Sequence, residues 1–131
     1  MIVDLRNNEG GADKVARKFM KLIRSYAGNH KIYVLVNNAT ISQGEIFALR
    51  LKKLKNVKIL GQTTKGMISY GSNYGIWEKL PSNKFEVYMT DMKDSNKFLL
   101  KYENKGIIPD IELNNESDWI EQALQNIKKD F

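Results

Sequence analysis

The order of apolar and polar positions in the first half of the chain predicts alternating strands and helices. Apolar runs at residues 1–5, 31–36 and 57–61 have the length of strands, and the middle run is continuous, as in a sheet covered on both faces. Between them, residues 12–26 and 44–56 place apolar side chains at helical spacing. This alternation predicts an α/β fold with a parallel sheet and right-handed crossover helices.

The second half of the chain is predicted to be richer in strands. Residues 67–77 alternate weakly around two glycines and suggest a hairpin, while residues 85–89 and 98–100 suggest two further short strands. Residues 107–113 contain a proline and suggest an extended segment at a sheet edge. A last helix is then predicted, with Asn115 and Ser117 as its candidate caps. Its apolar face is formed by Trp119, Ile120, Ala123, Leu124 and Ile127.

Length and composition indicate one globular domain. The chain has 131 residues, of which 42% are apolar, and this is enough for a buried core. The longest purely apolar run, residues 32–36, is far shorter than the ~20 residues of a membrane-spanning helix. The start of the chain also lacks the pattern of a signal peptide. Because a core strand opens the sequence, we expect an incomplete domain.

Charge and residue types exclude several classes of site. Lys and Arg total 21 and Asp and Glu total 15, which gives a net charge of +6. Lys52, Lys53, Lys55 and Lys58 raise the question of nucleic-acid binding, but no aromatic-basic recognition motif accompanies them, so we expect no nucleic-acid partner. The sequence has no Cys, one His and neither common phosphate-binding glycine loop. We therefore expect no metal and no cofactor.

Candidate chemistry falls on the loops that leave the carboxyl ends of the three predicted strands. Ligands bind at this edge in open parallel sheets. The first loop carries Gly10 and Gly11 at a helix start, where free N–H groups can hold an oxyanion. The second loop ends in Ser42, and the third carries Lys65, a base if its pKa is lowered. These groups together are compatible with acyl transfer.

Structural explanations compete with this interpretation. Ser42 and Glu45 have the S-x-x-E spacing of a helix capping box, so capping alone would account for Ser42, although a serine in this position can serve both roles. The spacing Ser-x-Gly is half of a nucleophile elbow, but Thr40 occupies the position of the first glycine. Gly10 and Gly11 are explained equally well by a tight turn, and Lys65 by an ordinary solvent-exposed lysine.

The remaining ionisable candidates are predicted to be structural. His30 precedes the strand that Ser42 follows, so about 20 Å of extended chain separates them, and we expect His30 at the surface. Asp4 and Arg6 are expected to anchor the end of the first strand through a salt bridge or through backbone hydrogen bonds.

Several blocks of sequence resemble the tail-specific, or C-terminal processing, serine peptidases. Residues 4–11, DLRNNEGG, resemble the family's D-L-R-N-N-x-G-G, and residues 34–47, VLVNNATISQGEIF, resemble V-L-V-N-x-x-T-A-S-A-S-E-I-F. Residues 59–64 resemble I-x-G-E-x-T, and residues 80–81 with 105–111 resemble the closing L-P and K-G-I-x-P-D-I. The blocks follow the family order. The resemblance implies a crotonase- or Clp-protease-like α/β core with a parallel sheet, crossover helices and a β-rich second half.

The resemblance also implies roles for individual residues. Ser42 matches the nucleophile, and the N–H groups of Gln43 and of Gly10 or Gly11 match the oxyanion donors. Residues 1–131 match the C-terminal part of the catalytic domain. The implied activity is hydrolysis of peptide bonds through an acyl-enzyme at Ser42, and the implied partner is a peptide or protein substrate.

The catalytic base is the point at which this sequence departs from the family. In the Ser-Lys branch, a Lys lies six residues after the glycine that Gly61 matches, and Met67 occupies that position here. Either a two-residue deletion brings Lys65 into the role, or the chain is similar to the tricorn-core-like branch that uses Ser with His. We favour the second branch, in which the His comes from a segment upstream of the first strand.

Two functional hypotheses follow from this departure. The chain is a serine peptidase, or it is an inactive fragment or pseudopeptidase that binds peptides without turnover. The family resemblance implies an extracytoplasmic parent protein, secreted or membrane-associated. An exposed first strand leaves pairing between copies, and so a homo-oligomer, open.

Overall fold

The computed structural model describes residues 1–70, 77–89 and 96–129. In chain order, its elements are β1 (Ile2–Asp4), α1 (Asp13–Ala27), β2 (Ile32–Val36), α2 (Gln43–Lys52), β3 (Val57–Gly61), β4 (Trp77–Lys79), β5 (Glu86–Tyr88), α3 (Lys97–Leu100), β6 (Ile111–Glu112) and α4 (Trp119–Lys129). The first five elements follow the predicted order, so the α/β fold class is confirmed.

Four of these strands form one parallel sheet in the order β1-β2-β3-β6. β2 and β3 pair along their whole length, from Ile32 opposite Val57 to Val36 opposite Gly61. β1 pairs with β2 and β6 pairs with β3, also in parallel. The carboxyl ends of β1, β2 and β3 therefore lie at one edge, as the site prediction requires.

Helices cover both faces of this sheet, because the side chains of β2 alternate between two apolar clusters. Ile32, Val34 and Val36 pack on one face with buried residues of α1 and α2. Tyr33 and Leu35 pack on the other face with residues of α4. All five residues of β2 are buried, which explains their continuous apolar pattern.

Helix α2 ends at Lys52, four residues before the predicted end. Beyond it the chain turns, and Asn56 holds the turn through its side-chain amide, which donates to the Ala27 carbonyl at the end of α1 (2.8 Å). Asn56 also accepts the N–H of Ile32 through its own carbonyl (2.8 Å). The predicted last turn of the helix instead connects α2 to β3.

The strand predicted at residues 98–100 is wrong, because this segment forms the short helix α3. The side chain of Asn96 accepts the N–H of Phe98 (3.1 Å) and caps the helix. The rings of Phe98 and Tyr102 then meet edge to face at helical spacing, with centroids 5.6 Å apart. A three-residue apolar run fits a strand or a helix, and here the cap decides.

The cap predicted for the last helix is also corrected. Asp118 begins α4, since its Oδ1 accepts the N–H groups of Ile120 (2.8 Å) and Glu121 (3.2 Å). Asn115 and Ser117 lie outside the helix. Trp119 and Ala123 are buried as predicted, whereas Leu124 is half exposed.

The hairpin predicted over residues 67–77 lies partly outside the described residues. Residues 67–70 form no regular element. An antiparallel pair is present further along the chain, between β4 and β5, with Trp77 stacked on Tyr88 (ring centroids 4.1 Å apart). The strand predicted at residues 85–89 is therefore confirmed as β5.

Candidate active site

The three loops predicted to share one sheet edge are in direct contact. The carbonyl of Asn8, in the first loop, accepts the N–H of Ile41 in the second (2.9 Å). The N–H of Ser42 donates to the carbonyl of Met67 in the third loop (2.8 Å), and the N–H of Lys65 donates to the carbonyl of Thr40 (3.2 Å). The second loop is thus held between the other two.

Ser42 adopts a backbone conformation that L-residues rarely take. Its φ is 52° and its ψ is −122°, directly before α2 begins at Gln43. This is the mirror-β region that glycine visits readily and other residues enter at a cost of order 1–3 kcal/mol. A sharp strand-to-helix turn with such a serine is the geometry of a nucleophile elbow. The residue is half-buried, so it lies at the surface rather than in the core.

The glycine bend lies directly against Ser42. Gly10 has φ +94°, and a Cβ added there would lie 2.9 Å from both Ser42 Cβ and Gln43 N. Only a residue without a side chain permits this approach. The N–H of Gly10 donates to Asn8 Oδ1 (2.9 Å), whereas those of Gly11 and Gln43 have no acceptor within residues 1–70, 77–89 and 96–129.

Glu45 connects the Ser42 turn to the third loop. The capping box with Ser42 is present, and Glu45 Oε2 accepts the N–H groups of Ser42 (3.1 Å) and Met67 (3.0 Å). Its Oε1 accepts the Thr64 hydroxyl (2.5 Å) and the N–H of Gly66 (2.9 Å). The side chain is completely buried. Capping was predicted for this carboxylate, but its role as a bridge between loops was not.

Asp13 connects the glycine bend to α2. Two residues after Gly11, its Oδ1 accepts the Gln43 amide (2.9 Å) and the Arg50 guanidinium, and its Oδ2 accepts Arg17. The hydrogen bond from Arg50, with a smaller contribution from Arg17, holds the pKa of this carboxyl below its ordinary value against partial desolvation. Sequence reasoning missed Asp13, because two of its three partners, Gln43 and Arg50, lie 30 and 37 residues away.

The family model described as Peptidase family S41 matches residues 17–113, a span that includes Ser42 and Glu45. The chain belongs to peptidase family S41. This confirms the resemblance to the tail-specific peptidases, whereas the choice between the Ser-Lys and Ser-His branches stays a prediction.

Individual relatives of this S41 chain agree with the family assignment. It is 28% identical over 130 residues to the nisin-resistance protein of Lactococcus lactis subsp. lactis, covering 94% of this chain and 38% of that protein. Its fold is similar to tricorn protease (TM-score 0.67, 21% identity, 98% of this chain, 15% of that one) and to a lipoprotein from Streptococcus agalactiae (TM-score 0.58, 20% identity, 99% and 54%). The chain thus spans a minor part to about half of these proteins.

In this S41 chain, the backbones of Met67 and Lys65 contact the second loop at different residues, Ser42 and Thr40. The Met67 backbone shares hydrogen bonds with both Ser42 and Glu45, and its side chain is half exposed. Lys65 is exposed, and its backbone contacts Thr40. The backbone of Met67, six residues after Gly61, is thus hydrogen-bonded to the Ser42 turn.

His30, the one histidine of this S41 chain, lies at the amino end of β2, away from Ser42 at the carboxyl end. It is exposed, as predicted, and its ring stacks on Tyr26 with centroids 4.2 Å apart. The ring nitrogen Nδ1 lies 3.1 Å from the Tyr26 carbonyl. This placement keeps His30 out of the Ser42 site.

Asp4 and Arg6 anchor the end of β1 as predicted. The guanidinium donates to both carboxylate oxygens at 2.6–3.1 Å, and this hydrogen bonding holds the pKa of Asp4 below its ordinary value. The Arg6 guanidinium also lies over the Trp119 ring, 5.8 Å from its centroid. The pair thereby joins β1 to α4 on the face of the sheet opposite Ser42.

Two lysines of the cluster considered for nucleic-acid binding have intramolecular partners. Lys52 pairs with Asp110 (2.7 Å), and the Lys53 ammonium lies over the Phe98 ring, 4.2 Å from its centroid. Within the described part of the chain, no group of three or more His, Asp or Glu residues is arranged to hold a metal ion. No described helix is long and apolar enough to cross a membrane.

Proposed function

We propose that this chain is the C-terminal part of the catalytic domain of a serine peptidase, with Ser42 as the nucleophile. The observation that carries the proposal is the contact between the glycine bend and the Ser42 turn. There, Gly10 lies so close to Ser42 and Gln43 that a Cβ would collide with both. A serine in a strained turn, followed by the Gln43 N–H that has no acceptor among the described residues, supports acyl transfer.

The proposed reaction uses these groups in order. Ser42 Oγ attacks the carbonyl carbon of the scissile peptide bond and gives its proton to the base. The negative charge on the carbonyl oxygen is held by the N–H of Gln43 and by the glycine bend, where the free N–H of Gly11 is the better candidate than that of Gly10. The C–N bond then breaks and the amine leaves with the proton. Water finally hydrolyses the acyl ester and regenerates Ser42.

The base in this proposal is a His supplied from outside these 131 residues, as in the Ser-His branch, with Lys65 as the alternative. Met67 beside Ser42 supports the first choice, because its side chain cannot take up a proton. Base assistance contributes about 100- to 10,000-fold. The 131-residue chain alone is therefore expected to react slowly.

The second candidate function is a peptide-binding pseudopeptidase. Met67 also favours this function, because it occupies the position that a lysine has in the Ser-Lys branch. In this case the peptide site persists and Ser42 has no chemical role. Peptide affinity would then be unchanged in Ser42→Ala.

Labelling with an alkyl fluorophosphonate separates the two functions. The serine peptidase predicts a phosphonyl adduct on Ser42, located by peptide mass spectrometry and absent in Ser42→Ala. Ser25→Ala is the control, because Ser25 is an exposed serine of α1 and reports non-specific labelling. Absence of an adduct in a version extended upstream to include a His would reject the peptidase and leave the pseudopeptidase.

The proposed setting is extracytoplasmic. One relative is named a nisin-resistance protein, and one structural neighbour is described as a lipoprotein. Both support a secreted or membrane-associated parent protein. The proposed partner is a peptide or protein substrate. Association of copies through β1 is part of the same proposal, since β1 is an edge strand.

A further inference from the structure

The side chain of Asp13 links the two backbone segments that carry the proposed oxyanion donors. Asp13 begins α1 two residues after Gly11, whereas Gln43 begins α2 directly after Ser42. Asp13 Oδ1 accepts the side-chain amide of Gln43 (2.9 Å), across 30 residues of sequence. One end of this hydrogen bond therefore lies on a donor residue, and the other end lies two residues from Gly11.

Arg50 holds the same carboxylate oxygen at a second point of α2. Its guanidinium also donates to Asp13 Oδ1 and forms a salt bridge with it. Gln43 and Arg50 are seven residues apart, so they lie on one face of the helix. Two donors thus hold the carboxylate against this face, and the charged one gives the stronger hydrogen bond.

Side chains replace backbone hydrogen bonds where the glycine bend meets α2. Earlier in the first loop, the carbonyl of Asn8 accepts the N–H of Ile41 (2.9 Å). Within the part of the chain that the structure describes, no backbone hydrogen bond joins residues 10–13 to residues 43–52. The polar attachment of this end of the bend to α2 therefore depends on the Asp13 carboxylate.

The position of Asp13 in α1 explains only part of this arrangement. A carboxylate in the first turn of a helix is favoured by the helix dipole, and Arg17, four residues later, donates to Oδ2. Neither feature requires a partner on α2. The hydrogen bonds from Gln43 and Arg50 are therefore additional to the stabilisation of α1 itself.

We propose that Asp13 is a positioning residue, which sets the separation between the Gln43 N–H and the N–H groups of the glycine bend through its contacts with Gln43 and Arg50. This inference rests on the proposed function. In acyl transfer the donors must reach the same carbonyl oxygen, each at about 2.7–3.1 Å. A misplacement of about 1 Å can cost about 100-fold in rate. Asp13 itself touches no reacting atom.

The test compares rates of fluorophosphonate labelling at Ser42, in the 131-residue chain or, if this reacts too slowly, in the version extended upstream. Gln43→Met keeps the backbone N–H and the length of the side chain but removes the amide that donates to Asp13, and Asp13→Ala removes the acceptor. Arg17→Met is the matched control, because it removes a partner of Asp13 on α1 and leaves both contacts with α2. Rates are expressed relative to wild type, so a missing base, which slows every variant alike, does not affect the comparison.

We expect Gln43→Met and Asp13→Ala each to lower the labelling rate by about tenfold, within the range that a displaced donor allows. Because both substitutions act through one contact, the double variant should be no slower than Asp13→Ala alone. Arg17→Met should change the rate by less than about twofold, since it breaks an ion pair at the surface. Circular dichroism under the labelling conditions checks that each variant is folded, so that a lower rate reports on the site.

Three results would overturn the positioning role of Asp13: an unchanged rate in Gln43→Met, reductions that multiply in the double variant, or an equal reduction in Arg17→Met. If Asp13→Ala does not fold, Gln43→Met and its control still decide the question. Labelling of Ser42 at an unchanged rate in Gln43→Met rejects only this inference. Absence of labelling in every version rejects the proposed function, and the inference with it.

Discussion

Replacement of Glu45 by glutamine tests the physical basis of the site most sharply. Four hydrogen bonds converge on this buried carboxylate, two on each oxygen. In Glu45→Gln, one of the two oxygens becomes an NH₂ group that faces donors. If the NH₂ group replaces Oε1, the buried N–H of Gly66 loses its acceptor. If the NH₂ group replaces Oε2, the N–H of Met67 loses its acceptor, whereas the N–H of Ser42 still donates to the Met67 carbonyl (2.8 Å).

The cost of Glu45→Gln can be worked from these contacts. One unsatisfied backbone N–H costs about 1–3 kcal/mol, and the surviving bonds lose the strengthening that an ionised acceptor gives, about 0.5–1 kcal/mol each. The sum is about 2–5 kcal/mol. This is a large share of the roughly 5–15 kcal/mol by which a domain of this kind is stable.

The assay for Glu45→Gln is urea unfolding followed by far-UV circular dichroism. The matched control is Glu121→Gln, the same substitution at an exposed carboxylate of α4. We expect the free energy of unfolding to fall by about 2–5 kcal/mol in the first variant and by less than about 0.5 kcal/mol in the second. Equal values for the two variants would refute the claim that Glu45 holds the Ser42 turn to the third loop.

Three further predictions follow from single contacts. Gly61→Ala should destabilise the chain by more than about 3 kcal/mol in the same urea assay, because a Cβ at its φ of +127° would lie 2.0 Å from the Val36 carbonyl oxygen; a stable variant would contradict the close pairing of β2 and β3. Ser42→Gly should raise the free energy of unfolding by about 1 kcal/mol relative to Ser42→Ala, since only glycine relieves the positive φ, and no gain would contradict the strained turn. Asp13 has a folded-state pKa below its unfolded value, so its contribution to stability is complete above the unfolded pKa and is lost as pH falls through the folded pKa. Wild type should therefore have a higher free energy of unfolding than Asp13→Asn at pH 7, and this difference should shrink in the acid range. A difference that does not change with pH would contradict the pairing with Arg50.

The layers of the fold could be predicted because burial leaves a direct pattern in the sequence. β2 lies between two layers of helices, so all five of its positions are apolar and its identity as a central strand is readable. The short elements were less predictable. The apolar triplet at residues 98–100 has no periodicity of its own, and the hydrogen bonds of its N-terminal cap, Asn96, favour a helix. The cap at Asp118 competed with two equally good capping residues nearby.

The candidate site was predictable only as far as parallel topology determines it. A parallel sheet brings the loops after β1, β2 and β3 to one edge, so Gly10 and Ser42 could be expected there together. The contacts of Glu45 with the third loop and of Asp13 with α2 join residues that lie 19–37 positions apart, and no local pattern encodes such pairs. The positive φ of Ser42 was equally hidden, because its sequence also fits an ordinary capping box.

A crystal structure of the Ser42 phosphonyl adduct would show whether Ser42, Gln43 and the glycine bend form one oxyanion site. We predict one phosphonyl oxygen within about 2.7–3.1 Å of the Gln43 N–H and of an N–H in the glycine bend. An adduct whose oxygens point to solvent, with neither amide within hydrogen-bonding distance, would contradict it.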